Sequence, residues 1–131
     1  MDVPILVVSP DPSIRALLEQ MLAAEGLRSV VAWADERVED AMRRLAPCRI
    51  VLDCDHELAG SEVFLERARG LGSTVVLFSP SRDDDDVRRC AAGRALAWFT
   101  FPIERRALAR LLTSRDSVRR AASGGEAEAG D

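Results

Sequence analysis

The sequence contains no lysine, because all 18 of its Lys and Arg positions are arginine. This absence excludes a Schiff-base lysine, a lysine general base and the lysine of a phosphate-binding loop. The sequence has one histidine, His56, and no nucleophile-elbow motif that could join it in a Ser-His-Asp arrangement. We therefore predict that the chain is not an enzyme and has no catalytic residues.

Long apolar runs and strongly basic segments are also missing. No stretch reaches the roughly 18 apolar residues of a membrane-spanning helix. The first residues lack the basic region and cleavage site of a secretory signal. The net charge of −4 does not fit the basic footprint of a nucleic-acid binder. We expect a cytoplasmic protein that binds neither membranes nor nucleic acid.

Cysteine is scarce, with an odd total of three residues. Cys48, Cys54 and Cys90 show no C-x-x-C spacing, which argues against a disulfide framework or a structural zinc site. We expect reduced thiols in the core or at its edge. Cys54 has a second interpretation as a redox sensor, although a cysteine at a strand end is usually a small core hydrophobe.

The length of the chain suits one hydrophobic core. The apolar pattern stops near Thr113, after which the sequence is small and polar. We predict one domain over residues 1–113 and a low-complexity, disordered tail over residues 114–131.

Short apolar runs bounded by turn residues predict five buried strands. They cover residues 3–8, 27–33, 49–53, 74–78 and 95–99. Segments of helical period lie between the runs, and the clearest begins with Asp11 as N-cap and Pro12 in its first turn. The second ends before Pro47, Ser61 caps the third, the acidic run Asp83–Asp86 begins the fourth, and the fifth begins near Ile103. This alternation predicts an α/β fold, a doubly wound five-stranded parallel sheet with helices on both faces.

This alternation, together with the segments ILVVSPD, RIVLDCD, VVLFSP and AWFTFPIERRALARLL, resembles the receiver domain of bacterial response regulators. The resemblance covers residues 3–113 and implies the flavodoxin-like (βα)5 receiver fold. In that family an aspartate at the end of the third strand accepts phosphate, and an acidic pair after the first strand helps it to hold Mg²⁺. A Thr or Ser ends the fourth strand, and a lysine precedes a proline after the fifth.

Several residues match this pattern. The resemblance implies that Asp53 stands at the phosphoacceptor position, with Asp55 as a displaced alternative. Ser79 matches the Thr or Ser of the fourth strand, and Trp98 matches the aromatic switch position of the fifth. Ser79 could equally cap a turn, and Trp98 could equally be a partly buried edge aromatic.

Three positions depart from the pattern. Ser9 and Pro10 replace the acidic pair, and Asp11 lies beyond it in the helix cap. Phe101 replaces the lysine, before a Pro102 where the family commonly has a cis peptide bond. Loss of one contact that stabilises charge in the transition state raises the activation free energy of phosphoryl transfer by on the order of 3 kcal/mol. We therefore expect no cofactor, Mg²⁺ binding that is weak or absent, and no useful autophosphorylation of Asp53.

Two nearby features have simpler interpretations. The run Asp83–Asp86 suggests a metal site, but consecutive helical residues point in different directions and favour the positive helix end instead. His56, in the loop after the third strand, is expected to be solvated.

The leading functional hypothesis is a stand-alone pseudo-receiver that acts by binding a protein partner, such as a histidine kinase, a downstream target or a second copy of the chain. The fourth helix, fifth strand and fifth helix would form the contact surface. Arg105, Arg106 and Arg110 would complement the acidic run Asp83–Asp86. The alternative is an atypical but functional receiver that a histidine kinase phosphorylates on Asp53. A third hypothesis, a small flavodoxin-like catalyst or cofactor binder, lacks a Gly-rich phosphate loop.

Overall fold

A computed structural model describes residues 3–92, 94 and 96–113 of the chain, so the predicted tail over 114–131 lies outside the described residues. Five strands and five α-helices alternate within that part. They are β1 (Ile5–Val8), α1 (Pro12–Ala24), β2 (Ser29–Val30), α2 (Val38–Leu45), β3 (Arg49–Asp53), α3 (Glu62–Gly70), β4 (Thr74–Ser79), α4 (Asp84–Ala92), β5 (Ala97–Thr100) and α5 (Arg105–Thr113). A short 3-10 helix, Glu57–Gly60, precedes α3.

The five strands form one parallel sheet in the order β2-β1-β3-β4-β5. This is the doubly wound arrangement that the sequence predicts. In the register, Asp53 lies opposite Phe78, and Ser79 lies opposite Thr100. The polar residues at the strand ends therefore meet at the carboxyl edge of the sheet, which is where ligands bind in open α/β sheets.

Local sequence signals define both ends of α1 and the start of α3. The Asp11 carboxylate accepts a hydrogen bond from the Ser13 amide at 2.9 Å, and the Ser61 hydroxyl accepts one from the Phe64 amide at 3.1 Å. Both predicted N-caps are thus confirmed. After α1, Gly26 takes a left-handed conformation with φ of 75°, which glycine adopts without strain. α5 begins at Arg105, slightly later than predicted from the apolar pattern.

The prediction of a seven-residue second strand was wrong, because β2 contains only Ser29 and Val30. β2 is an edge strand whose one neighbour is β1, and its pairing with β1 ends at Val30. Val31 and Trp33 are exposed there. The Glu36 carboxylate instead accepts the Trp33 amide hydrogen at 3.0 Å and closes a turn. β1 and β5 also begin two residues later than predicted, at Ile5 and Ala97.

Alternate strand residues build two core clusters, one on each side of the sheet. On one side, strand residues such as Leu6, Ile50 and Leu77 pack with the apolar faces of α2, α3 and α4. On the other side, residues such as Val7 and Phe78 pack with α1 and α5. Residues of the central strands are almost completely buried, which explains their near-continuous apolar sequence.

No helix in the described part of the chain is long and apolar enough to cross a membrane.

Candidate functional site

Asp53 ends β3 and is only 1% exposed. Its Oδ2 atom accepts a hydrogen bond from the Ser9 hydroxyl at 2.8 Å. Its Oδ1 atom accepts one from the Asp55 amide at 2.9 Å. Both carboxylate oxygens therefore have a donor from the protein itself, as a buried carboxylate requires.

Ser9 connects Asp53 to the turn after β1. Its hydroxyl oxygen also accepts the Asp11 amide hydrogen at 3.2 Å, and its carbonyl oxygen accepts a hydrogen bond from Arg15 at 2.6 Å. Pro10 is exposed, and the Asp11 side chain caps α1. The turn thus offers Asp53 a neutral hydroxyl where the family has carboxylates. Among the residues that the structure describes, no three or more His, Cys, Asp or Glu side chains are grouped to hold a metal ion.

Ser79 ends β4 and is completely buried. Its hydroxyl oxygen accepts hydrogen bonds from the amides of Ser81 at 3.2 Å and Arg82 at 2.9 Å. This is the turn-capping arrangement that the sequence left open beside the switch role. The hydroxyl is therefore engaged in the β4–α4 loop in this state of the protein.

Phe101 follows β5 and is half-buried in an aromatic stack. Its ring centroid lies 6.0 Å from those of both Phe78 and Phe99, which are themselves 5.3 Å apart. The Phe101–Pro102 peptide bond is cis, as is common at this position in the family that the sequence resembles. An apolar ring, held by other rings, occupies the position at which the family has an ammonium group.

Trp98, the other predicted switch residue, is half-buried in the middle of β5. β5 and β2 are the two edge strands of the sheet. The Trp98 ring packs against the core clusters on both sides of the sheet. This position fits the interpretation as a partly buried edge aromatic.

An ion pair beside the site was not foreseen from the sequence. Arg82, in the β4–α4 loop, binds the Asp55 carboxylate at 2.8 Å. The hydrogen bond from Arg82 to Asp55 raises the pKa of Arg82. The pair joins the loop after β3 to the loop after β4. Asp55 is therefore an exposed carboxylate that already has a cationic partner.

The loop after Asp53 contains two further candidates. The Cys54 thiol is buried, and burial together with the neighbouring Cys90 thiol raises its pKa to about 12. The expectation of a solvated His56 was wrong: the side chain is half-buried, and its Nδ1 atom accepts the Leu58 amide hydrogen at 3.1 Å. His56 caps the short 3-10 helix because a ring nitrogen can satisfy a free helical amide.

The acidic run at α4 has separate local partners. The Asp83 carboxylate accepts the Asp86 amide hydrogen at 3.0 Å, so Asp83 lies before the helix rather than in it. Asp84 hydrogen-bonds with Thr100 of β5, while Asp85 and Asp86 pair with Arg88 and Arg89 one turn later. The carboxylates are thus dispersed along the helix start.

The predicted basic set on α5 is divided. Arg105 pairs with Glu25 at the end of α1 at 2.8 Å. Arg106 and Arg110 are exposed on α5. Only these two remain as candidates for a basic contact patch.

Solved structures similar to this chain share its architecture. A response regulator receiver protein from Burkholderia phymatum is 20% identical with a TM-score of 0.65, over 88% of this chain and 93% of its own. The chemotaxis protein CheY4 of Vibrio cholerae is 14% identical with a TM-score of 0.64, over 92% of this chain and 99% of its own. A chain from the co-crystal of Saccharomyces cerevisiae Ypd1, a histidine phosphotransfer protein, and the receiver domain of Ssk1 is 16% identical with a TM-score of 0.63, over 86% and 87%.

No protein-family model matches the sequence, and no curated protein matches it. The structural similarity nevertheless identifies the fold. The chain has the flavodoxin-like (βα)5 fold of a response-regulator receiver domain.

Proposed function

We propose that this chain is a pseudo-receiver, a signalling module that acts by protein–protein binding and whose phosphorylation site is degenerate. The proposal rests mainly on Asp53, because both of its carboxylate oxygens already accept hydrogen bonds within the protein. Its two oxygens accept from Ser9 and from the Asp55 amide, and its side chain is buried. The carboxylate thus links the turn after β1 to the turn after β3 through hydrogen bonds.

The chemistry of phosphoryl transfer supports this proposal. The reaction depends on charges that are already in place where negative charge spreads in the transition state. Ser9 supplies a hydroxyl instead of a Mg²⁺-binding carboxylate, and Phe101 supplies a ring instead of an ammonium group. At on the order of 3 kcal/mol for each lost contact, the two changes together slow transfer to Asp53 by several orders of magnitude. Mg²⁺ binding is correspondingly weak or absent.

The contact surface in this proposal is formed by α4, β5 and α5. The hydrogen bond between Asp84 and Thr100 fixes the start of α4 to β5. Arg106 and Arg110 are exposed on α5, one of these three elements. Exposed charges of this kind give specificity and association rate more than affinity. The partner is a protein, either a signalling protein or a second copy of this chain.

A second candidate function is an atypical receiver that a histidine kinase phosphorylates on Asp53. The position of Asp53 at the carboxyl end of β3, next to the buried Ser79, favours it. A similar fold occurs in the co-crystal of Ypd1 with the receiver domain of Ssk1. The two candidates differ in whether binding needs the Asp53 carboxylate.

Charge-reversed variants distinguish the candidates. Light scattering would measure self-association, and affinity capture from the producing cells would measure partner binding. We expect Arg106→Glu with Arg110→Glu to abolish the complex and Asp53→Asn to leave it intact. The matched control reverses two exposed arginines elsewhere, Arg43 on α2 and Arg69 on α3, and should retain it. A complex that disappears in Asp53→Asn would instead support the phosphorylated receiver.

A further inference from the structure

A small cavity lies at the amino edge of the sheet, opposite the edge that carries Asp53. It lies where β1 and β3 begin and α5 ends, and its volume is about 150 Å³. Four aliphatic side chains line it, those of Val3, Ile5, Leu27 and Leu112. Ile5 and Leu112 belong to the core cluster on the α1 and α5 side of the sheet, and Leu27 packs against that cluster. The cavity is therefore an apolar recess at the margin of this cluster.

Two arginines, Arg28 and Arg49, also line the cavity. The Arg28 carbonyl oxygen accepts the Ile5 amide hydrogen at 3.1 Å, and the Arg49 amide donates a hydrogen bond to the Pro4 carbonyl oxygen at 3.0 Å. The two backbones are thus fixed on opposite sides of β1, two strand spacings or roughly 10 Å apart. Arginine side chains are long enough to reach one ligand from both sides. No Asp or Glu is among the described residues that line the cavity.

The charge of this lining favours an anion. Arg49 is half-buried, and burial lowers the pKa of its guanidinium because a charged group loses solvation there. A guanidinium has five N–H donors in a planar fork that matches a carboxylate. Arg49 can therefore bind a carboxylate beside the contacts that it makes within the protein. Arg28 is exposed and has no ion-pair partner among the described residues.

The size and the walls of the cavity select among anions. A cavity of about 150 Å³ accommodates one molecule of the size of benzene. An inorganic anion would leave the aliphatic side chains in contact with water. A ring or a branched chain would cover them and remove apolar surface from water, which stabilises the complex. The lining therefore fits a ligand that has both an apolar body and a negative charge.

We propose that this cavity binds a small aromatic or branched-chain carboxylate. Arg28 and Arg49 would hold the carboxylate group, and the four aliphatic side chains would contact the apolar body. Binding there does not depend on the function proposed above, because the cavity and Asp53 lie at opposite edges of the sheet. The cavity adjoins the end of α5, a helix of the proposed contact surface. A ligand would thus give that surface a signal without phosphoryl transfer, an extension that rests on the proposed function.

The test titrates the full isotope-labelled chain with sodium benzoate at constant ionic strength and follows the amide chemical shifts. We expect saturable shifts at Ile5, Arg28 and Arg49 with a dissociation constant in the millimolar range, as suits a ligand of about nine non-hydrogen atoms. Asp53 and Ser79, at the other edge, should not shift. Benzyl alcohol has the ring without the charge, and inorganic phosphate has charge without the ring. Each should bind at least about tenfold more weakly than benzoate. Equal binding of either probe would overturn the proposal.

Substitutions in the lining test both halves of the site. Arg49→Gln should weaken benzoate binding at least about tenfold, because it removes a charge-assisted contact. Arg28→Gln and Val3→Ser should each weaken it too. Both change exposed residues, so they keep the test decisive if Arg49→Gln disturbs folding, which circular dichroism would detect. The matched control Arg43→Gln, at an exposed arginine of α2, should bind benzoate as the natural sequence does. Benzoate affinity that is unchanged in the folded lining variants would overturn the proposal.

Discussion

Along the carboxyl edge of the sheet, different interactions hold the region of β1 and β3 and the region of β4 and β5. At β1 and β3, Ser9 and the Asp55 amide satisfy the Asp53 carboxylate through hydrogen bonds. At β4 and β5, Phe78, Phe99 and Phe101 stack on one another. Polar complementarity holds one end and apolar contact holds the other, while neither Ser9 nor Phe101 brings a charge. In the pseudo-receiver that we propose, hydrogen bonds and ring contacts would keep this edge in place without the charges that phosphoryl transfer uses.

The aromatic end should contribute most to stability. Phe78 is completely buried, and its ring stacks with those of Phe99 and Phe101. Phe78→Ala removes a large side chain from a close-packed core and should lower the free energy of unfolding by about 3–5 kcal/mol. Urea unfolding followed by circular dichroism would measure this. The half-buried Phe101→Ala is the comparison variant and should cost less. If Phe78→Ala lowered the free energy of unfolding no more than Phe101→Ala does, the stabilising role of the ring stack would be contradicted.

The polar end should contribute less, through the hydrogen bonds of Ser9 and Asp53. Ser9→Ala leaves the buried Asp53 carboxylate without its donor to Oδ2 and should lower the free energy of unfolding by about 1–3 kcal/mol. A double-mutant cycle with Asp53→Ala sharpens the comparison. In the Asp53→Ala background, the Ser9 substitution should have a smaller effect, because only the hydrogen bond from the Asp11 amide is then lost. Equal effects in both backgrounds would show that the two side chains are not coupled.

Alkaline pH should weaken the region around Cys54. Burial raises the pKa of Cys54 to about 12, above the value of about 8.5 that applies to an unfolded chain. The folded state therefore keeps a proton that the unfolded state releases, so stability is full below about pH 8.5 and falls as pH rises toward 12. Unfolding free energies measured from pH 8 to 11 should show a flatter profile for Cys54→Ala than for the natural sequence. Parallel profiles would contradict the assignment.

The smallest effect is expected at the exposed edge near β2. The Arg44 guanidinium lies 3.8 Å from the centroid of the Trp33 ring and binds the Glu36 carboxylate at 2.7 Å. The hydrogen bond from Arg44 lowers the pKa of Glu36. Arg44→Ala should destabilise the protein only slightly, because exposed ion pairs contribute little. It should nevertheless change the Trp33 fluorescence, which the variant Arg43→Ala, one residue away, should leave unaltered.

Local signals made much of the fold predictable. The caps at Asp11 and Ser61, the five apolar runs and their alternation with helices depend on residues close in sequence. Strict βα alternation then leaves few topologies for the sheet. The short β2 was missed because an apolar run cannot reveal that its strand lies at an edge.

The site was less predictable, because its contacts join residues far apart in sequence. Asp53 and Ser79 were located through the resemblance. The Ser9–Asp53 hydrogen bond spans 44 residues, and the Arg82–Asp55 pair spans 27. Arg105 pairs with Glu25 across 80 residues, a contact that no local pattern of the sequence predicts. Which of several charged neighbours a side chain contacts is decided by packing of whole elements, and no local pattern records it.

The most direct test of the central claim is the intact mass of the chain after incubation with acetyl phosphate and Mg²⁺. The same experiment would include Asp53→Asn and, as a positive control, a receiver known to accept phosphate. We predict no phosphoryl adduct on this chain under conditions that modify the control receiver. A phosphoryl adduct that disappears in Asp53→Asn would contradict the account, because it would show that Asp53 still accepts phosphate without the acidic pair and the lysine.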